Sequence, residues 1–199
     1  MNSIRKLITV AAAVLAVSAC SATAAQACSY TGAKQVFGPW GDQHSYVLAP
    51  DGGFEAGGAG WALAGGASTV AGNESFYLNG AGDSSSLSLP AGSAAVSPSI
   101  CMSIDTPIIR LVARNTGDTS SGLRVEATYT LLGLVHTKAI STVYAGPAWA
   151  PTQQLSTVLS LSTIVGTLIP SSIQVRIAPV GSGGQWQVDD LYVDPFARH

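Results

Sequence analysis

The chain has 199 residues, a formal net charge of −2 and only 10% charged side chains, where an average soluble protein carries about 25%. It has no basic stripe, which argues against nucleic acid as a partner. Its 22 Gly and 10 Pro, with abundant Ser, Thr, Ala and Val, suit many short strands joined by tight turns.

Residues 1–27 read as an export signal. Arg5 and Lys6 precede an apolar run from Leu7 to Ala19, which is of signal length and too short to span a bilayer. Two readings of the cleavage stand. Val17-Ser18-Ala19-Cys20 has the form of a lipobox, which would leave a lipid anchor on Cys20. Ala22-Thr23-Ala24 and Ala25-Gln26-Ala27 are ordinary small-residue sites, which favour release and a secreted protein. Loss of Arg5 and Lys6 takes the net charge from −2 to −4. About 170 residues then remain, enough for one domain over 28–199 with a sizeable core. No second domain, internal repeat or further membrane span is read from the sequence.

Either cleavage removes Cys20 from the three cysteines, leaving Cys28 and Cys101 as a pair in an oxidising compartment. A disulfide between them is the expectation. No His or second Cys lies at metal-ligand spacing beside either one.

Strand candidates follow in order: Ser45–Leu48, Trp61–Leu63, Ser75–Leu78, Ser84–Leu89, Ile108–Ala113, Leu123–Thr130, Ala139–Tyr144 and Ile173–Ile177. In Leu123–Thr130, period-two alternation turns Leu123, Val125, Ala127 and Tyr129 inward, and Arg124, Glu126, Thr128 and Thr130 outward. Arg124 and Glu126 then read as a solvated pair. Ile108–Ala113 is continuously apolar, as a central strand is. Asn73-Glu74, Asn79-Gly80, Asn115–Asp118 and Gly181–Gly184 mark turns. Leu155–Ile169 breaks the pattern and predicts a short helical or irregular insertion near 155–169, buried on the domain. This spacing of strands means an all-β antiparallel sandwich or jelly roll.

The closing segment, Gln185–Pro195, poses a parity problem. Val188 and Leu191 both look like core residues, yet a regular strand would put them on opposite faces. A bulge at Asp189-Asp190 would repair this. The alternative is a central strand buried on both faces. The acidic segments around Glu55 and Asp189-Asp190 also predict that the opening and closing strands lie side by side.

Phe54-Glu55 followed by Trp61, the late Trp149, and Trp186-x-Val188-Asp189-Asp190-x-Tyr192-Val193 together resemble the galactose-binding-like jelly roll of carbohydrate-binding modules. Phe37–Asp42 with Ser97–Cys101 is also similar to exported actinobacterial proteins, a likeness that carries no activity. The jelly-roll resemblance implies a structural Ca²⁺ held by Glu55 and Asp189, with Asp190 adjacent and Gly57–Gly60 letting backbone oxygens approach. The other reading pairs these carboxylates with backbone donors or an Arg.

No catalytic motif is found. There is no Gly-x-Ser-x-Gly elbow. His44 and His136 lack partners at ligand spacing, and Glu126 and Glu74 read as a surface strand residue and a turn residue. Trp61, Trp149 and Trp186 read as core. Trp40, in a turn, is the candidate platform for an extracellular glycan, or else a plug at one end of the sandwich. Tyr77 with Asn79 is a lesser candidate, as is Tyr46 near Gln43 and His44. The sequence therefore predicts a non-catalytic binding module for extracellular or cell-surface carbohydrate. A structural or adhesion protein of the envelope is the alternative, and a glycosidase-like enzyme is third.

Overall fold

A computed structural model describes residues 28, 30–102, 106–159 and 171–196. The signal segment, Cys20, most of the 155–169 insertion and His199 lie outside the described residues. The strands, in chain order, are β1 (Val47–Leu48), β2 (Ala62–Ala64), β3 (Ser68–Ala71), β4 (Ser85–Pro90), β5 (Ala94–Val96), β6 (Ile100–Cys101), β7 (Ile108–Asn115), β8 (Gly122–Leu131), β9 (Leu134–Val143), β10 (Ala150–Pro151), β11 (Leu155–Ser156), β12 (Ser172–Val180) and β13 (Gln185–Asp194). One short 3₁₀ turn covers Gly38–Trp40.

The strands form two antiparallel sheets. The larger runs β10-β7-β13-β4-β3, with β1 also on β13 and β11 also on β7; the smaller runs β2-β5-β12-β8-β9, with β6 also on β12. The inner faces meet in one core. Alternation supplies it as expected: Leu123, Val125 and Ala127 from β8 and Ile173, Val175 and Ile177 from β12 face Ile109, Leu111 and Ala113 from β7. Apolar burial of this kind stabilises by about 25 cal/mol per Å². On the outer face of the smaller sheet, Glu126 pairs with Arg176 across the strands at 2.7 Å rather than with Arg124 along its own strand. Directly opposed residues on antiparallel strands are the nearer neighbours.

The predicted bulge is present. Asp189 opposes Val112 and Tyr192 opposes Arg110, so Asp190 and Leu191 together face one residue of β7. Asp190 takes φ 49°. Before the bulge Trp186 and Val188 point into the core; after it Leu191 and Val193 do. The bulge also marks a change of partner. Up to Val188, β13 pairs with β4; from Leu191 its neighbour on that side is the β1 segment, with Val47 opposite Val193 and the Ala49 N–H donating to the Leu191 carbonyl. The opening and closing strands do lie side by side.

Burial of β7 on its second face comes from loops. Phe37, Tyr46, Ile108 and Tyr192 form a smaller apolar cluster outside the larger sheet. Cys28 and Cys101 form the expected disulfide, with Cα atoms 5.6 Å apart. It ties the start of the described chain to β6.

Two expectations are corrected and a third is refined. Ser75–Leu78 is not a strand: the chain folds around the Glu74 carboxylate, which accepts from the N–H groups of Phe76 and Leu78. Trp149 is not in the core but half-exposed on the outer face of the larger sheet. Leu155–Ile169 begins with β11, which pairs with β7, so at least its start is sheet.

Candidate functional site

Two groups of functional side chains lie on the outer side of the larger sheet. The first is acidic and gathers where β13 changes partner. Without a strand beside Asp189 and Asp190, the gap is filled by the segments around Gly53 and Glu74. Asp189 is fully buried. Its two oxygens accept from the N–H groups of Glu74 at 3.0 Å and of Asp190 at 2.9 Å. Asp190 is also buried, with the Asn79 N–H and the Glu74 carboxyl beside it, and neither of its oxygens makes a hydrogen bond of good geometry. Oδ2 of Asp83 is likewise buried without one.

Burial pushes Asp189 up to about 8, with the Asp190 charge adding to it against the Glu74 N–H. Burial also pushes Asp190 up to about 7; the charges of Glu74 and Asp83 add to this, and the nearby Asn79 N–H offsets only part of it. Gly53 packs closely here: a Cβ on it would stand 3.1 Å from Oδ1 of Asp190 and 3.3 Å from the Asn79 amide, so both side chains would have to shift.

Glu55 is not a member of this group. After Gly53 the chain turns sharply through Phe54 at φ 59°. Exposed Glu55 instead accepts from the N–H groups of Ser84 and Ser85, both at 2.8 Å, at the start of β4. Gly57–Gly60 belongs to the same turn, where Asp51 accepts from the Ala56 and Ala59 N–H groups. Glu74, read from sequence as a turn residue, supplies the third carboxylate. Its only advance signal was the turn-forming Asn73 before it. Among the described residues no three His, Cys, Asp or Glu side chains form a ready-made metal-ligand set. Glu55 and Asp189 thus engage different backbone donors, Ser84 and Ser85 for the one and Glu74 and Asp190 for the other.

The second group surrounds Trp40. The 3₁₀ turn ends at Gly41, whose φ of 81° lets its N–H close back on Gly38. That reversal leaves Trp40 outside, 39% exposed, and sends Asp42 inward to 7%. Asp42 accepts from Nη1 of Arg110 at 2.6 Å, the Tyr46 hydroxyl at 2.7 Å and the His44 N–H at 3.1 Å. Burial alone would raise this carboxyl; the bonds from Tyr46, His44 and Arg110 outweigh it and hold Asp42 at about 2. Arg110 also donates through Nε to the Thr152 carbonyl at 2.8 Å and lies over the Phe37 ring, 4.1 Å from its centre. Tyr46, raised above its usual range by burial, is a buried structural residue and not a platform.

Above this network lies an open cavity of about 740 Å³, walled by Trp40, Asp42, Arg110, Thr152, Gln153 and Gln154. Phe76 meets Trp40 edge to face at 4.8 Å and is itself exposed. The sequence reading missed Phe76 because it placed the residue in a strand. Tyr77 is exposed at φ 53° on the same loop, while Asn79 is seated against Gly53 beside the acidic group. Farther along β7, Arg114 lies over the Trp149 ring at 4.6 Å and donates through Nε to Gln187 at 2.6 Å. His44 is bound through Nδ1 to buried Asp194 at 2.8 Å.

No family model and no curated protein matches the chain. Solved structures do. The xylan-binding CBM22-1 domain of Paenibacillus barcinonensis Xyn10C superposes with a TM-score of 0.51 at 13% identity, over 77% of this chain and 99% of that one. The tandem CBM22-1–CBM22-2 domain of the same enzyme gives 0.51 at 13% identity, over 76% of this chain and 44% of that one. The CBM22-1–GH10 modules of Clostridium thermocellum Xyn10B, solved with xylohexaose, give 0.50 at 12%, over 72% of this chain and 28% of that one. At these identities the likeness is one of fold. The chain has the antiparallel β-sandwich jelly-roll fold of carbohydrate-binding modules.

Proposed function

We propose that the protein is an exported, non-catalytic binding module for extracellular or cell-surface carbohydrate. The observation that carries this reading is Trp40, exposed at the rim of a cavity whose walls supply Asp42, Arg110, Thr152, Gln153 and Gln154. An aromatic face stacks on the apolar face of a pyranose, and a few fixed polar groups orient its hydroxyls. The fold shared with modules that bind xylan supports the same reading. The disulfide supports an oxidising compartment and hence export. A structural Ca²⁺ belongs to the proposal, held by Asp190 and Asp83 with backbone oxygens.

The test is a glycan array probed with the folded protein and with Trp40→Ala. Binding that falls at least tenfold in the variant supports the proposal. Silence across the array by folded protein contradicts it.

One observation favours the adhesion reading. The β8–β9 hairpin tip exposes Leu132, Leu134 and Val135 at 68%, 65% and 72%. Leu132 also sits at φ 52°, where Asn or Gly is the usual turn residue. Loss of envelope attachment in Leu132→Asn, with glycan binding intact, would support that reading.

A further inference from the structure

The outer face of β7 carries two arginines in unlike states. Arg110 is buried and its charge is met by Asp42. Arg114, on the same face, has no carboxylate partner among the described residues, whereas Arg176 has Glu126. The nearest acid on the facing strand does not turn to it. Asp189, two positions from Gln187 on β13, spends its oxygens on the N–H groups of Glu74 and Asp190.

Arg114 is nonetheless held in place. Gln187 fixes Nε at 2.6 Å, and the Trp149 ring lies under the guanidinium at 4.6 Å. These contacts leave the Nη edge free of any partner among the described residues. A guanidinium immobilised by a stacking ring and one side bond has already lost much of its rotamer freedom. Its remaining N–H groups form a planar fork suited to two parallel bonds with an anionic group. A sugar hydroxyl does not require such a fork. The site adjoins the Trp40 cavity, since Trp149 directly precedes Ala150, which lines that cavity together with Arg110.

Resting on the carbohydrate reading, we propose that the groove takes an acidic glycan and that Arg114 receives its anionic group, a uronate carboxylate or a sulfate ester. Trp40 then stacks on a sugar ring in the cavity, and Arg114, seated on Trp149 next to it, selects for charge.

The experiment is calorimetric titration of the full chain with matched pairs. One pair is oligogalacturonate and its carboxyl-reduced galactan; the other is a sulfated galactan oligosaccharide and its desulfated form. A panel of neutral xylan, glucan and galactan oligosaccharides is titrated alongside. The expected result is that at least one acidic member binds tenfold or more tighter than its neutral partner. Which pair shows the preference distinguishes carboxylate from sulfate. The preference should vanish in Arg114→Gln and shrink severalfold between 50 mM and 500 mM NaCl for wild-type protein, as the charge is screened. Equal affinity within both pairs, a preference that survives Arg114→Gln, or one unchanged by high salt overturns the proposal. Binding of neutral glycans only, abolished by Trp40→Ala, overturns the acidic preference and leaves the carbohydrate reading standing. Silence toward every probe by folded protein overturns both.

Discussion

Glu74 donates its backbone N–H to Oδ2 of Asp189 at 3.0 Å, across a separation of 115 residues. The bond closes the place where β13 exchanges β4 for β1 as its neighbour. It also brings a third carboxylate to the buried pair Asp189 and Asp190. Burial of like charges this close favours the uptake of a proton or a cation.

The first expectation concerns pH. Asp189 is raised to about 8 and Asp190 to about 7, both chiefly by burial. For a carboxyl raised in the folded state, stability is full below its unfolded pKa near 4 and is lost as pH rises through the folded value. In chelator, the melting temperature should therefore fall by several degrees between about pH 4 and pH 8. Excess Ca²⁺ at pH 8 should restore it, by about 2.7 kcal/mol at a hundredfold excess over Kd. Asp190→Asn should lessen the pH dependence, leaving the part due to Asp189, and remove the Ca²⁺ response, whereas Glu55→Ala should leave that response intact. Differential scanning calorimetry reads all four.

Asp42 titrates with the opposite sign. Held at about 2 by Tyr46, His44 and Arg110, it contributes stability above about pH 4 that is lost as pH falls through 2. Asp42→Ala leaves Arg110 buried with an unmet charge and should cost about 3–5 kcal/mol. Urea denaturation at pH 7 measures it.

The Cys28–Cys101 bond closes a loop with a separation of 73 residues. Non-reducing mass spectrometry should find the linked peptide. Reduction should lower stability by about 2–4 kcal/mol without unfolding the sandwich at 25 °C. Free thiols on both cysteines would contradict the pairing.

At the hairpin tip, Leu132 adopts φ 52° and Gly133 φ 77°. Leu132→Asn suits that turn better and should stabilise by about 0.5–1 kcal/mol. A destabilised variant in thermal melts would mean that the exposed Leu132 packs against something in solution.

Much of the fold was legible because it rests on local alternation. Leu123, Val125 and Ala127 face the core as their period-two spacing requires. The clash of parity between Val188 and Leu191 located the bulge, since two core residues at odd spacing in one strand require an inserted residue. The site was less legible. Glu55 and Glu74 are both carboxylates beside turn residues, and only the sharp turn at Phe54 decides that Glu55 leaves the cluster. Phe76 and Leu78 look like strand residues until the Glu74 carboxylate draws their N–H groups into a loop. Trp149 carries no local mark of exposure; its place follows from Arg114, a partner distant in sequence.

The four tryptophans provide the most direct test of the central claim. Trp61 and Trp186 are buried, with their indole N–H groups bound to the Pro50 carbonyl and the Ser121 hydroxyl; Trp40 lines the cavity, and Trp149 precedes Ala150, which also lines it. In a ¹⁵N–¹H spectrum titrated with soluble xylan, galactan and uronate-bearing oligosaccharides, the indole signals of Trp40 and Trp149 should move together with a ligand while those of Trp61 and Trp186 stay fixed. Four stationary signals throughout the titration, or movement confined to residues away from the groove, would contradict the account.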